Sequence, residues 1–125
     1  MKYKVVYFEL PAEDMSRAKK FYSSAFGWEM KDMDEDYTSV LCAESDEYMH
    51  SVEKGAITGG IQKKGARAVA PTVVIQVDDI DQAINNLEKA GGKIIVPKDE
   101  MNGMGWYAQF NDPEGNRIGL FQPGM

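Results

Sequence analysis

Residues 5 to 28 read VVYFELPAEDMSRAKKFYSSAFGW. This stretch decides the fold because the residue pattern of a strand is followed in it by the residue pattern of a helix. The run up to Leu10 is rich in β-branched and aromatic residues, which predicts a strand that ends before Pro11. Asp14 is a good helix N-cap, and Gly27 stands where a left-handed C-terminal residue is common. Between these caps, apolar residues recur at helical spacing, namely Met15, Ala18, Phe21, Tyr22 and Ala25. The stretch predicts a strand, a short loop and an amphipathic helix.

Three more strands are predicted after this helix, at residues 28–31, 37–43 and 56–62. Residues 46–54 predict an exposed loop between the last two of them. The order strand, helix and three strands defines a first βαβββ module, at about residues 1–63.

The same order then starts again. Thr72 to Val77 predicts a strand, Asp79 caps a second helix with Gln82 at the capping-box position, and Gly91 follows the last helical turn. Three further strands are predicted at 93–96, 106–110 and 117–122, and the turn 112–115 joins the last two. This second module covers about residues 70–123.

Internal repetition supports two copies of one unit. An offset of 65 residues pairs Asp14 with Asp79 and Gly27 with Gly92, among four identities in fourteen positions. An offset of 60 pairs Gly59 with Gly119 in the closing strands. The alternative is that any two capped helices with alanine-rich faces look alike. We interpret residues 1–125 as a single α+β domain built from two βαβββ modules.

Composition excludes several classes of function. The chain has 125 residues, 43% of them hydrophobic, and a formal net charge of −6. Nucleic acid and anionic membrane surfaces are therefore poor partners. The sequence shows neither a signal-peptide core nor an apolar run of the roughly 20 residues that span a bilayer, and the lone Cys42 agrees with a reducing compartment. We expect a cytoplasmic protein with no membrane partner.

Three motifs of this chain occur together in one known family. They are Phe8-Glu9-Leu10-Pro11 followed by Asp14, the segment from Ala18 to Trp28, and Asp112-Pro113-Glu114-Gly115-Asn116 with the strand to Gln122. With them the chain resembles the vicinal oxygen chelate superfamily, which includes glyoxalase I, extradiol dioxygenases and bleomycin-resistance proteins, and especially its small glyoxalase-like members. The resemblance implies a curved eight-stranded mixed sheet with a central ligand cleft, and often a homodimer.

The metal site of that family has no counterpart in this sequence. In metal-dependent members, His or Gln on the first strand and Glu on the last strand of each module supply the ligands. The positions that correspond to them are Tyr7, Gly59, Thr72 and Gly119. A phenol, a hydroxyl and two glycines are no ligand set for a divalent ion. We therefore predict no metal and no cofactor, which argues against metal-dependent lactoylglutathione lyase activity.

Strand alternation predicts which side chains face the cleft. Tyr7 and Glu9 alternate with Phe8, which suits the helix layer, and Trp106 is expected on the opposite face from Tyr107. The predicted ligand-binding residues are Tyr7, Glu9, Gly59, Thr72, Val74, Tyr107, Gln109 and Gly119. We interpret Gly59 and Gly119 as positions that keep room for the ligand, with a backbone bulge as the alternative.

The other reactive or flexible residues are interpreted mainly as structural residues without a functional role. Glu9 is either a general base or a hydrated acid at the cleft rim. His50 is interpreted as a solvated loop residue and Cys42 as a small buried apolar residue. Met101 and Met104 belong to an ordinary flexible loop, with a mobile lip of the cleft as the alternative.

These observations lead to three hypotheses of function. The first is a metal-free protein that binds an unknown small molecule in the sheet cleft. The second is a glyoxalase-like lyase or isomerase that uses Glu9 as its base. The third is a dimeric structural module with a vestigial cleft. Fold alone does not decide among them.

Overall fold

The structure is a computed structural model that describes residues 2–124, and the chain divides into two compact units. Residues 6–72 form the unit that we call module one, and residues 73–124 together with residues 2–5 form module two. The elements in chain order are β1 (Lys4–Ala12), α1 (Met15–Phe26), β2 (Glu29–Asp32), β3 (Tyr37–Leu41), β4 (Thr58–Lys63), β5 (Thr72–Gln76), α2 (Ile80–Lys89), β6 (Lys93–Glu100), β7 (Gly105–Asn111) and β8 (Arg117–Pro123).

In module one the strand order is β2-β3-β4-β1, with β1 parallel to β4 and the other neighbours antiparallel. Helix α1 packs on one face of this mixed sheet. The core between them is built on Ala12, Val40 and Ile61, all buried, and partly buried apolar side chains such as Phe8 and Leu10 surround it. This face is apolar because every second residue of β1 points to the helix.

In module two the strand order is β5-β8-β7-β6, with β5 parallel to β8. Helix α2 contributes Ile80, which is fully buried, to a core with Val77, Ala108 and Leu120. Each module thus has the order βαβββ and a mixed sheet with one helix. The predicted α+β class and its two-module organisation with eight strands are confirmed.

The predicted helix caps are present in both modules. The Asp14 carboxylate accepts a hydrogen bond from the backbone N–H of Arg17 at 3.0 Å, and that of Asp79 accepts one from Gln82 at 3.1 Å. Such caps satisfy amide groups that have no partner inside the helix. Gly27 ends α1 at φ 71°, in the left-handed region where glycine is favoured. No helix among the described residues has the length and apolar character to cross a bilayer.

The segment expected to be an exposed loop carries its own structure. The backbone N–H of Val52 donates to the carbonyl of Glu44 at 2.8 Å, and that of Asp46 donates to the carbonyl of His50 at 2.9 Å. A bridge between Ser45 and Ser51 lies between these two hydrogen bonds. We call this segment the 44–52 hairpin. These backbone hydrogen bonds give the hairpin a defined conformation.

Candidate functional site

The sheet face of module one that points away from α1 is polar and buried. We call it the helix-free face. It carries Tyr7, Glu9, Tyr37, Ser39 and Thr58, and none of them is more than 9% exposed. The opposite face holds the apolar core with the helix. Because polar side chains are rarely buried unless they find partners, a whole face of them favours a binding or catalytic surface.

The register of β4 corrects the expected place of Gly59. In the parallel ladder Gly59 lies beside Phe8, and Gly60 lies beside Glu9. A Cβ built on Gly59 would stand 2.5 to 2.6 Å from the Phe8 ring, on the helix side of the sheet. Gly59 is therefore not on the helix-free face. The prediction was wrong by one residue, and a shift of one residue in a strand moves a side chain to the other face.

The two modules show the same register once this correction is made. Gly60 lies beside Glu9 in module one, and Gly119 lies beside Val74 in module two. Glu9 corresponds to Val74 at an offset of 65 residues, so the glycines beside them, Gly60 and Gly119, correspond to each other. The offset between the closing strands β4 and β8 is therefore 59 residues and not 60.

The space at Gly60 is filled by a tyrosine. A Cβ on Gly60 would stand 2.5 Å from Cζ of Tyr37 and closer still to its hydroxyl oxygen. Glycine at this position leaves room for the Tyr37 ring beside the strand. Burial, followed by the negative charge of Glu9, raises the pKa of Tyr37 well above that of a free phenol. Tyr37 is therefore a neutral hydroxyl that lies within the field of the Glu9 carboxylate.

The 44–52 hairpin covers Tyr7 on this face. The Tyr7 hydroxyl donates to the carbonyl of Tyr48, and the Thr58 hydroxyl donates to the carbonyl of Met49. The Tyr7 oxygen is also 3.3 Å from Nδ1 of His50, and the two rings are 4.9 Å apart. His50 was expected to be solvated, and that prediction was wrong. Its side chain is only 19% exposed because the hairpin folds back onto the sheet.

An acid inside the hairpin holds it together. The Asp46 carboxylate accepts hydrogen bonds from the backbone N–H groups of Tyr48 and His50 at 2.9 and 3.1 Å, and lies 3.7 Å from Nδ1 of His50.

Burial, with a smaller contribution from the charge of Asp46, raises the pKa of Tyr7 above its ordinary value. Tyr7 is therefore a neutral hydrogen-bond donor at physiological pH.

A cavity of about 450 Å³ lies between the end of α1, the edge of the sheet and the hairpin. Its walls include Glu29, Lys31 and Leu41 from the sheet and Glu44 from the hairpin. Cys42 also lines it, and burial raises the pKa of this thiol. A thiol in that state is a poor nucleophile, in agreement with the expectation that Cys42 is a packing residue. The cavity is large enough for a small organic molecule.

Module two has a helix-free face of its own, and the predicted alternation of β7 is confirmed. Trp106 and Phe110 pack in the α2 core, while Tyr107 and Gln109 point away from it. The amide nitrogen of Gln109 donates to the Tyr107 hydroxyl at 2.7 Å, and Arg117 donates to the Gln109 amide oxygen at 3.3 Å. Since Arg117 fixes the amide orientation, Gln109 acts as a donor toward Tyr107.

Three other predictions for module two have mixed outcomes. Gly119 and Val74 lie on the helix-free face as expected, but a Cβ on Gly119 would stand 3.0 Å from both the Tyr107 hydroxyl and Val74 Cγ2. The space at Gly119 is therefore filled by these neighbours, and the expected opening is not there. Met101 is 8% exposed in a tight turn rather than part of a flexible loop, because its backbone bonds to Gly105 and Met104.

The residues present do not fit the metal site that the resemblance implies. Tyr7 donates to a backbone carbonyl, and the Thr72 hydroxyl donates to the carbonyl of Ala70 at 2.9 Å. Gly59, its corrected counterpart Gly60, and Gly119 offer no side-chain donor. Within residues 2–124, no group of three or more His, Cys, Asp or Glu side chains is placed to hold a metal ion. Neutral hydroxyls already bonded to carbonyls are weak metal ligands.

Comparison with known sequences identifies the family. The sequence model of the Glyoxalase/Bleomycin resistance protein/Dioxygenase superfamily matches residues 4–120. The chain therefore belongs to this superfamily, and the resemblance inferred from the motifs is confirmed.

Curated relatives are distant and longer. The chain is 29% identical over 119 residues to a protein of Mycobacterium tuberculosis (strain CDC 1551 / Oshkosh) named "Putative glyoxylase CFP32", covering 91% of this chain and 43% of that protein. It is 25% identical over 129 residues to the anthracycline biosynthesis protein DnrV of Streptomyces peucetius, covering 95% of this chain and 46% of that protein. The chain thus spans somewhat less than half the length of these relatives.

Solved structures support the fold. Methylmalonyl-CoA epimerase from Mycobacterium tuberculosis aligns with a TM-score of 0.66 at 14% identity, covering 97% of this chain and 88% of the epimerase. A superfamily member from Vibrio splendidus 12B01 aligns with a TM-score of 0.60 at 16% identity, covering 97% of this chain and 99% of that chain. At such identity the likeness shows the fold alone.

Several residues of the face in module one were not among the predicted site residues. They are Tyr37, Ser39, Thr58 and Gly60 on the sheet, together with His50 on the hairpin that covers Tyr7. Alternation along β3 puts Tyr37 and Ser39 on one face, but only the pairing with β4 shows that this face also carries Glu9. No sequence signal places His50, because its contact with Tyr7 spans 43 residues.

Proposed function

We propose that this protein binds a small organic molecule, without a metal ion, at the helix-free face of module one. The observation that carries the proposal is the buried polar face of Tyr7, Glu9, Tyr37, Ser39 and Thr58, which continues along β3 to Leu41 in the wall of the cavity beside the 44–52 hairpin. Ligand sites combine apolar walls with a few placed polar groups, and Leu41 with Met49 supplies apolar surface here. The name of the relative DnrV connects that protein with the biosynthesis of anthracyclines, which are small organic molecules, and supports this class of ligand.

Absence of a metal is part of the proposal. The chemistry of the donors supports it, since hydroxyls and glycines stand where imidazole and carboxylate ligands would be needed. Recognition would then depend on the neutral Tyr37 hydroxyl and on the Glu9 carboxylate. A ligand with a hydroxyl, amide or ammonium group suits that carboxylate. The lone cysteine agrees with the reducing compartment of a cytoplasmic protein.

The experiment is a ligand screen with paired variants. A library of small organic molecules is tested by thermal shift and native mass spectrometry against wild type, Glu9→Gln and Thr38→Val. Thr38 is a matched control because it is a buried hydroxyl on the helix side of the same sheet, where it donates to Asp32 at 2.8 Å. We expect Glu9→Gln to weaken binding by about tenfold or more and Thr38→Val to leave affinity unchanged.

Two results would overturn the proposal. Equal loss of affinity in both variants would show that the ligand does not bind at the helix-free face. No ligand for wild type across the library would favour the structural module with a vestigial site.

Catalysis with Glu9 as general base is the second candidate. The observation that favours it is the burial of Glu9, at 9% exposure, close enough to Tyr37 for its charge to affect that phenol. A buried carboxylate beside a neutral hydroxyl is a common arrangement for proton transfer. Turnover that is lost in Glu9→Gln while ligand binding persists would support a lyase or isomerase. Binding without turnover in wild type would support the binder.

A further inference from the structure

Two neighbouring hydroxyl groups of the helix-free face are occupied by the 44–52 hairpin. Tyr7 and Thr58 are partners in the ladder between β1 and β4, and both are buried. The Tyr7 hydroxyl donates to the carbonyl of Tyr48, and the Thr58 hydroxyl donates to the next carbonyl along the chain, that of Met49. A hydroxyl group has one proton to donate. While the hairpin lies in this position, neither donor is therefore left for another molecule.

The tip of the hairpin is folded so that it presents these two carbonyl groups to the sheet. The backbone N–H groups of Tyr48 and His50 donate to the Asp46 carboxylate. The N–H group of Met49, between them, donates to the Asp46 carbonyl at 3.0 Å. Three successive amide groups thus bond to one residue inside the hairpin. Met49 has a φ of 63°, in the left-handed region that is uncommon for residues other than glycine, and such residues cluster at ligand clamps and switch regions.

The hairpin itself is only partly buried. Each of its nine residues is half-buried or exposed, whereas Thr58 beneath it is fully buried. The rings of Tyr7 and His50, 4.9 Å apart, add one more contact with the sheet. The hydrogen bonds between the two arms of the hairpin close within it, so they do not need to break when it moves as a unit. Segments with few buried apolar contacts open at a low cost in free energy, and the hairpin has this property.

We propose that the 44–52 hairpin is a lid that closes the site of module one by occupying its hydroxyl donors, and that a ligand binds by displacing it. This inference rests on the proposed binding function. The entering molecule replaces the carbonyls of Tyr48 and Met49, so it must offer acceptor oxygen atoms to Tyr7 and Thr58. Glu9 lies two residues from Tyr7 on the same face, where its charge repels an anionic acceptor and accepts a hydrogen bond. The ligand class is therefore a neutral carbonyl compound that also carries an N–H or O–H group, such as an amide.

Asp46 allows a test that leaves the donors of the site intact. Asp46→Ala removes the carboxylate that folds the tip, so the open state gains population while both sheet hydroxyls remain. Because apparent affinity scales with the populated fraction of the open state, we expect Asp46→Ala to bind benzamide about tenfold more tightly than wild type in isothermal titration calorimetry. Asp34→Ala is the matched control, since this carboxylate accepts from the N–H of Asp36 at 2.8 Å in a turn outside the hairpin. Benzoate and benzylamine, which lack the neutral carbonyl, should bind more weakly than benzamide.

The single histidine of the chain reports the position of the lid. In wild type we expect a nuclear Overhauser effect between the rings of His50 and Tyr7, because they are 4.9 Å apart. Saturating benzamide should remove this effect, and Asp46→Ala should weaken it without any added molecule. Thr58→Val removes one hydrogen bond to the lid with little change of shape. It should also weaken the effect, and it replaces Asp46→Ala in this measurement if that variant does not fold.

Failure of the lid can be told apart from failure of the proposed function. Benzamide that binds while the contact between His50 and Tyr7 persists would overturn the lid, and so would equal or weaker affinity in Asp46→Ala. In either case, loss of benzamide affinity in Glu9→Gln would still support binding at the helix-free face. Tighter binding of benzoate, or no binding of benzamide to wild type and Asp46→Ala, would overturn the inferred ligand class and the lid with it. The proposed function itself fails only if no molecule of the library binds at that face.

Discussion

Replacement of Gly60 by alanine tests the geometry of the helix-free face most directly. An ideal Cβ at this position stands 2.5 Å from Cζ and 2.9 Å from Cε2 of Tyr37, and is closer still to the hydroxyl oxygen. Real Cβ atoms do not approach other heavy atoms so closely. Since Tyr37 is 7% exposed and β3 is paired on both sides, the ring cannot simply turn toward solvent.

The cost follows from overpacking. Inserting one methyl group into a well-packed site typically costs about 1 to 3 kcal/mol. For a domain of this size, that loss corresponds to a fall in melting temperature of roughly 4 to 12 °C. Tyr37→Phe removes the atom in closest contact, so the double variant should be more stable than the sum of the single effects predicts, by about 1 kcal/mol.

Urea unfolding followed by circular dichroism and tryptophan fluorescence measures these free energies. Gly65→Ala is the matched control, because the nearest atom to its Cβ is a backbone oxygen at 3.9 Å and its φ is not positive. We expect that control to change the free energy of unfolding by no more than about 0.5 kcal/mol. The reasoning is refuted if Gly60→Ala unfolds like Gly65→Ala, since Gly60 would then face open space.

Three further predictions concern packing, pH and metal. Gly119→Leu should lower the free energy of unfolding by more than about 1 kcal/mol in the urea assay, because Tyr107 and Val74 already occupy that space; a neutral outcome would contradict it. The pKa values of Tyr7 and Tyr37 are raised, so stability should be complete below about pH 10 and fall above it as the unfolded chain ionises first. Unfolding measured between about pH 9 and 11 should show a shallower fall for Tyr7→Phe than for wild type, and equal slopes would count against the burial of Tyr7. Removal of metal with a chelator should leave the melting temperature unchanged, and a fall with one metal ion per chain by elemental analysis would disprove the metal-free proposal.

Local patterns were enough to predict the fold. Caps at Asp14 and Asp79, and alternation in the opening strands, depend on neighbours within a few residues, so they can be recognised without coordinates. The same reasoning placed Tyr7 and Glu9 on one face and Phe8 on the other, as the structure has them.

Predictions that depended on the register of distant strands were less successful. Gly59 and Gly60 are adjacent and carry no side chain, so no pattern of apolar and polar residues tells which one faces away from α1. Only the ladder between β1 and β4 decides it, by placing Gly60 beside Glu9. A shift of one residue exchanges the faces, and that is why the site residue was misplaced.

Tertiary structure alone decided what covers each surface. Apolar residues do recur at helical spacing in α1, but only some of them pack on the sheet. Met15, Ala18 and Tyr22 contact the core, whereas Phe21 is more than half exposed. The hairpin lies over Tyr7 through a hydrogen bond to Tyr48, 41 residues away, and brings His50 with it. Hydrophobic period and turn propensity are local properties of the chain. Burial depends on which distant segment packs on a surface, and the sequence of that surface does not contain this information.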